Sequence, residues 1–331
     1  DLKCIGILIL SDVIRQDAKT TLDYFKRHDV DIKIISGDDP VTVSAIARRC
    51  HLLNYEHYID VSSLSDEQIK EAIEKYTIFG RVSPKQKQLM VNTLQENNHT
   101  VAMTGDGVND VLALKAADCS IAMASGSDAA KSASHIVLLK NNFNAMPHIV
   151  NEGRRVINNI TASASMYLIK TIFSVVLSIG MILFGHGYPF KPIQLTVISA
   201  CCVGIPTFFL TYEPNFKRVS GDFLKTVFKN AFPFAFMIAI CSTIIVNGGR
   251  VLGLEKEMLS TICVLLTSWC YYNGLRHIYS PLSHYRIFVI YIMQIVLYIS
   301  LIVGHQFLGL GNIDYIGAIT LMFLVTFSKV I

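Results

Sequence analysis

An α/β domain followed by an α-helical membrane part is the fold class the sequence predicts, on three observations. The 331 residues are 52% hydrophobic, too apolar for an ordinary soluble chain. Polarity is unevenly spread: residues 1 to about 155 hold most of the Asp, Glu and Lys, while residues 160–331 contain long runs without acidic side chains. Within the first part, short apolar runs alternate with helical stretches, the pattern of a mostly parallel sheet covered by helices. The net charge of +4 is modest, and no basic block interleaves with aromatics, so nucleic acid is not an expected partner.

Taken in order, CIGILIL (4–10), DIKIIS (31–36), YTIFG (76–80), HTVAM (99–103), CSIAM (119–123) and HIVLL (135–139) read as strands. Between them QDAKTTLDYFKRHD, PVTVSAIARRCH, SDEQIKEAIEKY, PKQKQLMVNTLQEN and DVLALKAAD read as helices. The boundary to the membrane part is expected at 155/156. A spanning helix needs about 20 apolar residues. Six stretches qualify, at roughly 161–184, 193–211, 227–247, 258–275, 286–304 and 313–331. Their connections are short, so antiparallel hairpins are expected. With the first part cytosolic, Lys217, Arg218, Lys225, Arg276 and Arg286 fall in cytosolic loops, and only Lys191, Arg250 and Lys256 opposite them. Trp269, Tyr271 and Tyr272 read as an interfacial aromatic belt.

Five of the eight cysteines lie in the apolar half, where a free thiol acts as a small hydrophobe. No CxxC occurs, and no disulfide framework is expected. The neighbours Cys201 and Cys202 point about 100° apart on a helix, which is poor for a soft-metal site. The chain opens on DLKCIGILIL without a signal peptide and closes on FSKVI. Both ends are expected to be cuts through a longer polypeptide.

In parallel sheets, ligands collect beyond the C-terminal ends of the strands. Four such ends carry hydroxyls, cations or carboxylates: Asp12–Arg15, Ser36-Gly37-Asp38, Arg81–Lys87, and Thr104-Gly105-Asp106-Gly107-Val108-Asn109-Asp110. Phosphoryl transfer suits them. Ser36 and Lys87 are candidates for holding phosphoryl oxygens. Asp106 and Asp110 are candidates for Mg²⁺, a hard cation held by one or two carboxylates plus phosphate and water.

TGDGVNDVLALKAADCSIAM (104–123) resembles the hinge motif of P-type ATPases, within the haloacid-dehalogenase superfamily. SGD resembles that family's TGD element, RVSPKQK its segment ending in a phosphate-binding Lys, and DVIR its DPPR with both prolines replaced. The resemblance implies a Rossmann-like phosphorylation domain (1–155), present in part, followed by six transmembrane helices (156–331). It implies Asp106 on Mg²⁺ with Asp110 in support, and Lys87 and Ser36 on an aspartyl-phosphate. Gly37, Asp38 and Asn109 stand with them in the catalytic group, and Asp12, Arg15, Thr104 and Gly105 near ATP. The family's nucleophile lies in a DKTGT motif, absent here. The implied partners are therefore the upstream remainder of the same polypeptide (actuator, nucleotide-binding domain and helices one to four), membrane lipid and a transported cation, and this stretch alone should be inactive.

Six spans after the hinge resemble helices five to ten of ion pumps, and GIPTFFLTYEPN looks like a bacterial branch of cation-translocating ATPases, the calcium-transporting CtpE type. Gly204-Ile205-Pro206 should interrupt the second span, since Pro removes a backbone donor. Interrupted helices near mid-membrane often bind cargo. Where calcium pumps place polar ligands, this chain offers Ile172, Val175, Cys202 and Val203. Lys170 lies well inside the first span, at an insertion cost of about 2.5–3.5 kcal/mol. Lys170, Gly204 and Pro206 are thus the transport candidates. A Lys in this helix also resembles lipid flippases of the superfamily. The expected function is cation transport across the plasma membrane; the alternatives are a phospholipid flippase, an anchored phosphatase and an inactive membrane fragment.

Overall fold

The computed structural model describes residues 18–140, 142–219 and 221–313, with residues 14 and 322. The expected strand at 4–10, the candidates Asp12 and Arg15, and the sixth span after residue 313 lie outside the described residues. The chain divides into two units, Asp1–Val150 and Asn151–Ile331.

In the first unit, α1 (Ala18–Arg27), β1 (Ile34–Ile35), α2 (Pro40–Arg49), β2 (Tyr58–Asp60), α3 (Asp66–Lys75), β3 (Ile78–Gly80) and α4 (Pro84–Glu96) follow in order. Then come β4 (Ala102–Gly105), α5 (Val111–Ala116), β5 (Cys119–Met123), α6 (Asp128–Ala133) and β6 (Ile136–Leu138). Among the described residues every pairing is parallel, in two sheets ordered β1-β3-β2 and β4-β5-β6. Alternation of strand and helix gives this layering because each strand must return over a helix to pair in parallel.

Local chemistry sets the helix starts. Ser65 and Ser83 each accept from the third helical amide, while Gln68 and Gln86 reach back to the cap, which makes two capping boxes. Asp39 caps α2 by accepting from the Val41 amide, with Pro40 in the first turn. Val61, Ile69, Ile73, Phe79 and Met90 bury the first sheet against α3 and α4. Ile121, Leu138 and Met146 form a core on the second sheet.

The second unit begins in α7 (Ala145–Leu183). Next come α8 (Pro192–Ile198), a π-helical segment (Ser199–Gly204) and α9 (Ile205–Leu210), which together form one span. They are followed by α10 (Phe223–Val251), α11 (Lys256–Ile278), α12 (His284–Val303) and α13 (His305–Leu308). Gly204 and Pro206 therefore mark a wide turn within a continuing helix, where the sequence predicted an interruption.

Among the described residues four helices are long and apolar enough to cross a membrane: α7, the 192–210 span, α10 and α12. Helix α11 covers the fourth expected span but falls short in apolar character. Its reason is position. Most of it from Met258 to Leu275 is buried against its neighbours, and a helix that meets protein has no need to match lipid. Helix α10 shows the opposite face, with Phe228, Phe232, Phe236, Ile240 and Ile244 exposed at four-residue steps. Such a stripe suits hydrocarbon.

Two expectations are corrected here. Tyr271 and Tyr272 form no interfacial belt: both are 1% exposed. Tyr271 packs edge-on to Phe173, and Tyr272 donates to the Cys201 carbonyl. Arg286 is no surface charge either, being 6% exposed beside Glu213. The seven described cysteines are free.

Candidate phosphoryl-transfer site

The loop after β4 is built around Asp110. A single 3-10 turn at Val108–Asp110 leads into α5 and turns the Asp110 carboxylate back toward the strand end. Its Oδ1 accepts from Lys87 Nζ at 2.7 Å. Its Oδ2 accepts from the backbone amides of Asp106 and Gly107, at 3.2 and 3.1 Å. Both partners are nearly buried, Lys87 at 9% and Asp110 at 7% exposure. A buried ion pair persists only when its remaining lone pairs are satisfied, and the two amides do that.

Asp106 is clamped through its backbone. Its amide is held by Asp110, and its carbonyl accepts from the Ser127 amide at 2.8 Å. Two glycines allow this closeness. A Cβ on Gly105 would sit 2.6 Å from the Asp110 Cβ, and one on Gly126 would sit 2.7 Å from the Asp106 carbonyl oxygen. The Asp106 side chain itself is exposed, as are Thr104 and Asn109. A carboxylate on a fixed backbone, facing solvent, fits Mg²⁺, which takes one or two carboxylates. Among the described residues no group of three His, Cys, Asp or Glu gathers to form a full protein cage.

A second strand end lies in the other sheet. Ser36 Oγ donates to Asp38 Oδ2 at 3.1 Å and accepts from the Asp38 amide. The Ser36 amide bonds the Phe79 carbonyl, and the Val82 amide bonds the Ser36 carbonyl. Gly37 and Asp38 are exposed. Arg81, which the sequence reading left without a role, ties this end together. It pairs with Asp39 at 2.8 Å and Asp60 at 3.0 Å, and its φ of 54° is left-handed. The Asp60 carboxyl is held below the ordinary carboxylate range by the Ser62 hydroxyl and amide, with Arg81 adding to the effect.

Lys87, Asp106 and Asp110 are thus brought together. Lys87 rides on α4, which follows a strand of the first sheet, and Asp110 follows a strand of the second, so their pair links the two sheet ends. Ser36, Gly37 and Asp38 form their own network. The Gly126–Ser127 clamp went unread in the sequence; Ser127-Asp128, a cap signature before α6, is the signal that marks it.

Residues 2–118 match the haloacid dehalogenase-like hydrolase family. A probable cation-transporting ATPase, exp7, of Streptococcus pneumoniae is 41% identical over 298 residues, which cover 88% of this chain and 38% of that protein. The calcium-transporting ATPase CtpE of Mycobacterium bovis is 39% identical over 281 residues, 80% of this chain and 35% of that one. A calcium-transporting ATPase of Bacillus subtilis is 31% identical over 230 residues, 68% and 25% respectively. The chain spans well under half the length of each of these relatives.

Proposed function

We propose, from the premise that the chain belongs to the P-type ATPases of the haloacid dehalogenase superfamily, that the complete polypeptide couples ATP hydrolysis to cation transport across the plasma membrane, with calcium as the first cargo to test. Hydrolysis runs through an aspartyl-phosphate whose Asp comes from outside these 331 residues, since no DKTGT occurs here. The observation that carries this reading is the Lys87–Asp110 pair at 2.7 Å, with the second Asp110 oxygen gripping the Asp106 loop.

In this reading the Lys87 ammonium neutralises phosphoryl oxygens, and the Ser36 hydroxyl donates to them. Asp106 holds Mg²⁺, which when bound offsets charge on the transferring group. Asp110 positions Lys87 and the loop, and the lone pair left on its Oδ1 supports Asp106 at the Mg²⁺ site. Thr104, Gly105, Asn109, Gly37 and Asp38 line the approach, with Asp12 and Arg15 near the nucleotide. The part carrying these sheets is cytosolic, where ATP and Mg²⁺ are found.

The test is ATP hydrolysis by the complete polypeptide, titrated with Ca²⁺, Mn²⁺ and K⁺ at fixed Mg²⁺. One cation is expected to stimulate it, and the 331-residue chain alone is expected to turn over none. Absence of stimulation by any cation, with labelled lipid moving instead, would establish the flippase reading in its place.

Helix α7 carries the junction between the two units, and Asn151–Ser163 within it is the proposed coupling lever. Arg155 pairs with Glu152 one turn away, on an exposed face. Replacing Arg154 and Arg155 together by Ala should leave ATP hydrolysis running while cation flux falls. A flux-to-hydrolysis ratio equal to that of the native pump would remove the lever from the account.

A further inference from the structure

We propose that the first half of α10 is a headgroup-selective site for an anionic phospholipid, with Lys225 and Lys229 on the phosphate-bearing headgroup and a strip of stacked rings along an acyl chain. The inference is independent of the cargo and of ATP hydrolysis. It needs only that α10 lies in a membrane.

The apolar strip comes first. Leu224, Phe228, Phe232 and Phe236 are exposed at four-residue steps, so they share one face of the helix. Their rings stack: the Phe228 and Phe232 centroids are 5.4 Å apart with planes 28° apart, and those of Phe232 and Phe236 are 5.6 Å and 29° apart. The three rings therefore form one flat strip, along which an extended acyl chain gains many small dispersion contacts. From Leu224 to Phe236 the helix rises about 18 Å, close to the depth of one leaflet in a hydrocarbon core about 30 Å thick.

The charges stand at the head of that strip. Lys225 and Lys229 each follow a strip residue by one position, so both lie to the same side of it, one turn apart. Like charges at this spacing repel. Both lysines are exposed, and among the described residues neither ammonium has an ion-pair or hydrogen-bond partner. The nearby carboxylates are engaged elsewhere. Glu213 lies beside Arg286 and accepts from Ser283, and Asp222 Oδ1 accepts from the Leu224 and Lys225 amides. Lys217 and Arg218 add two exposed cations in the loop before α10. Such a basic cluster flanking a span attracts anionic lipid. A phosphate shared by Lys225 and Lys229 relieves their repulsion, and their long stems let the ammoniums reach headgroup level while the rings stay in hydrocarbon.

The experiment measures binding of short-chain phosphatidylglycerol and of phosphatidylcholine with the same chains to the complete polypeptide in non-ionic detergent, by native mass spectrometry. The native protein is expected to prefer phosphatidylglycerol. Lys225→Gln and Lys229→Gln should each lower that preference about fivefold, and Lys225→Arg with Lys229→Arg should retain it. Both positions are exposed, so thermal unfolding without lipid should not change. Lys19→Gln with Lys26→Gln, which removes the same charge from an exposed helix of the first unit, should leave the preference intact. Equal binding of the two lipids, or a preference that survives the Lys225→Gln, Lys229→Gln double variant, overturns the site. So does an equal loss in the Lys19, Lys26 pair, which would make the preference a matter of net charge. Displacement of phosphatidylglycerol by inorganic phosphate overturns the lipid and leaves a free-anion site.

Discussion

Lys87→Met should abolish phosphoenzyme formation by the complete pump and also loosen its fold, for one physical reason. The ammonium donates to Asp110 Oδ1 at 2.7 Å, and both residues are nearly buried. Removing it strands a carboxylate under the loop, at a cost of about 3–5 kcal/mol. It also removes a charged donor from the proposed phosphoryl site, expected to lower turnover by about 10²–10³-fold or more. The two effects separate in the double variant. Lys87→Met with Asp110→Asn leaves no stranded charge, so stability returns in large part while hydrolysis stays lost. Asp106→Asn is the contrast: an exposed carboxylate should cost activity with little change in thermal unfolding. A Lys87→Met pump that still forms phosphoenzyme at the native rate would end the assignment of Lys87, and with it the reading of this loop.

Why this site was legible beforehand follows from its construction. Every group in it sits within a few residues of a strand end, so TGDGVND and RVSPKQK carry it almost whole. Its spacing is local; only the Lys87–Asp110 contact is long-range. The Ser127 clamp on Asp106 was not legible, because it depends on pairing of β4 with β5, which brings a later loop under an earlier one. Strand β2 went unread since Asp60 ends it and His57 precedes it, so no continuous apolar run marks Tyr58–Asp60. Helix α6 escaped because DAAKSA holds no apolar side chain larger than Ala, so no helical stripe shows.

In the membrane part, composition located helices but misjudged their faces. Tyr271 and Tyr272 read as belt residues because amphipathic rings favour interfaces. What decided otherwise was the central position of α11, which no single-sequence pattern encodes. The same position explains why α11 carries Ser260, Thr261, Thr267 and Ser268 in a buried helix: these side chains meet other helices and not lipid. Arg286 was misread by the same logic. A basic residue at a helix start looks like a cytosolic loop charge until the neighbouring loop is known.

That arginine makes the second large prediction. Arg286 donates to the Tyr279 and Pro281 carbonyls at 2.8 and 3.0 Å. Glu213 Oε2 sits 3.1 Å from its Nε, off hydrogen-bonding alignment, and accepts from Ser283 Oγ at 2.6 Å. Ser283 in turn caps α12 by accepting the Arg286 amide. One side chain therefore holds the turn after α11, the start of α12 and the loop after α9. Arg286→Met should lower the unfolding free energy by about 3 kcal/mol, the lower end of the range for a broken buried pair, because the Glu213 side chain keeps 27% of its exposure. Adding Glu213→Gln should recover part of that loss by removing the stranded charge. It should not recover all, since the Tyr279 and Pro281 carbonyls still lack their donor. Thermal unfolding of the single and double variants in detergent reads this directly. If Arg286→Met unfolds at the native temperature, the three segments are held by apolar packing alone and the ion pair is incidental to the fold.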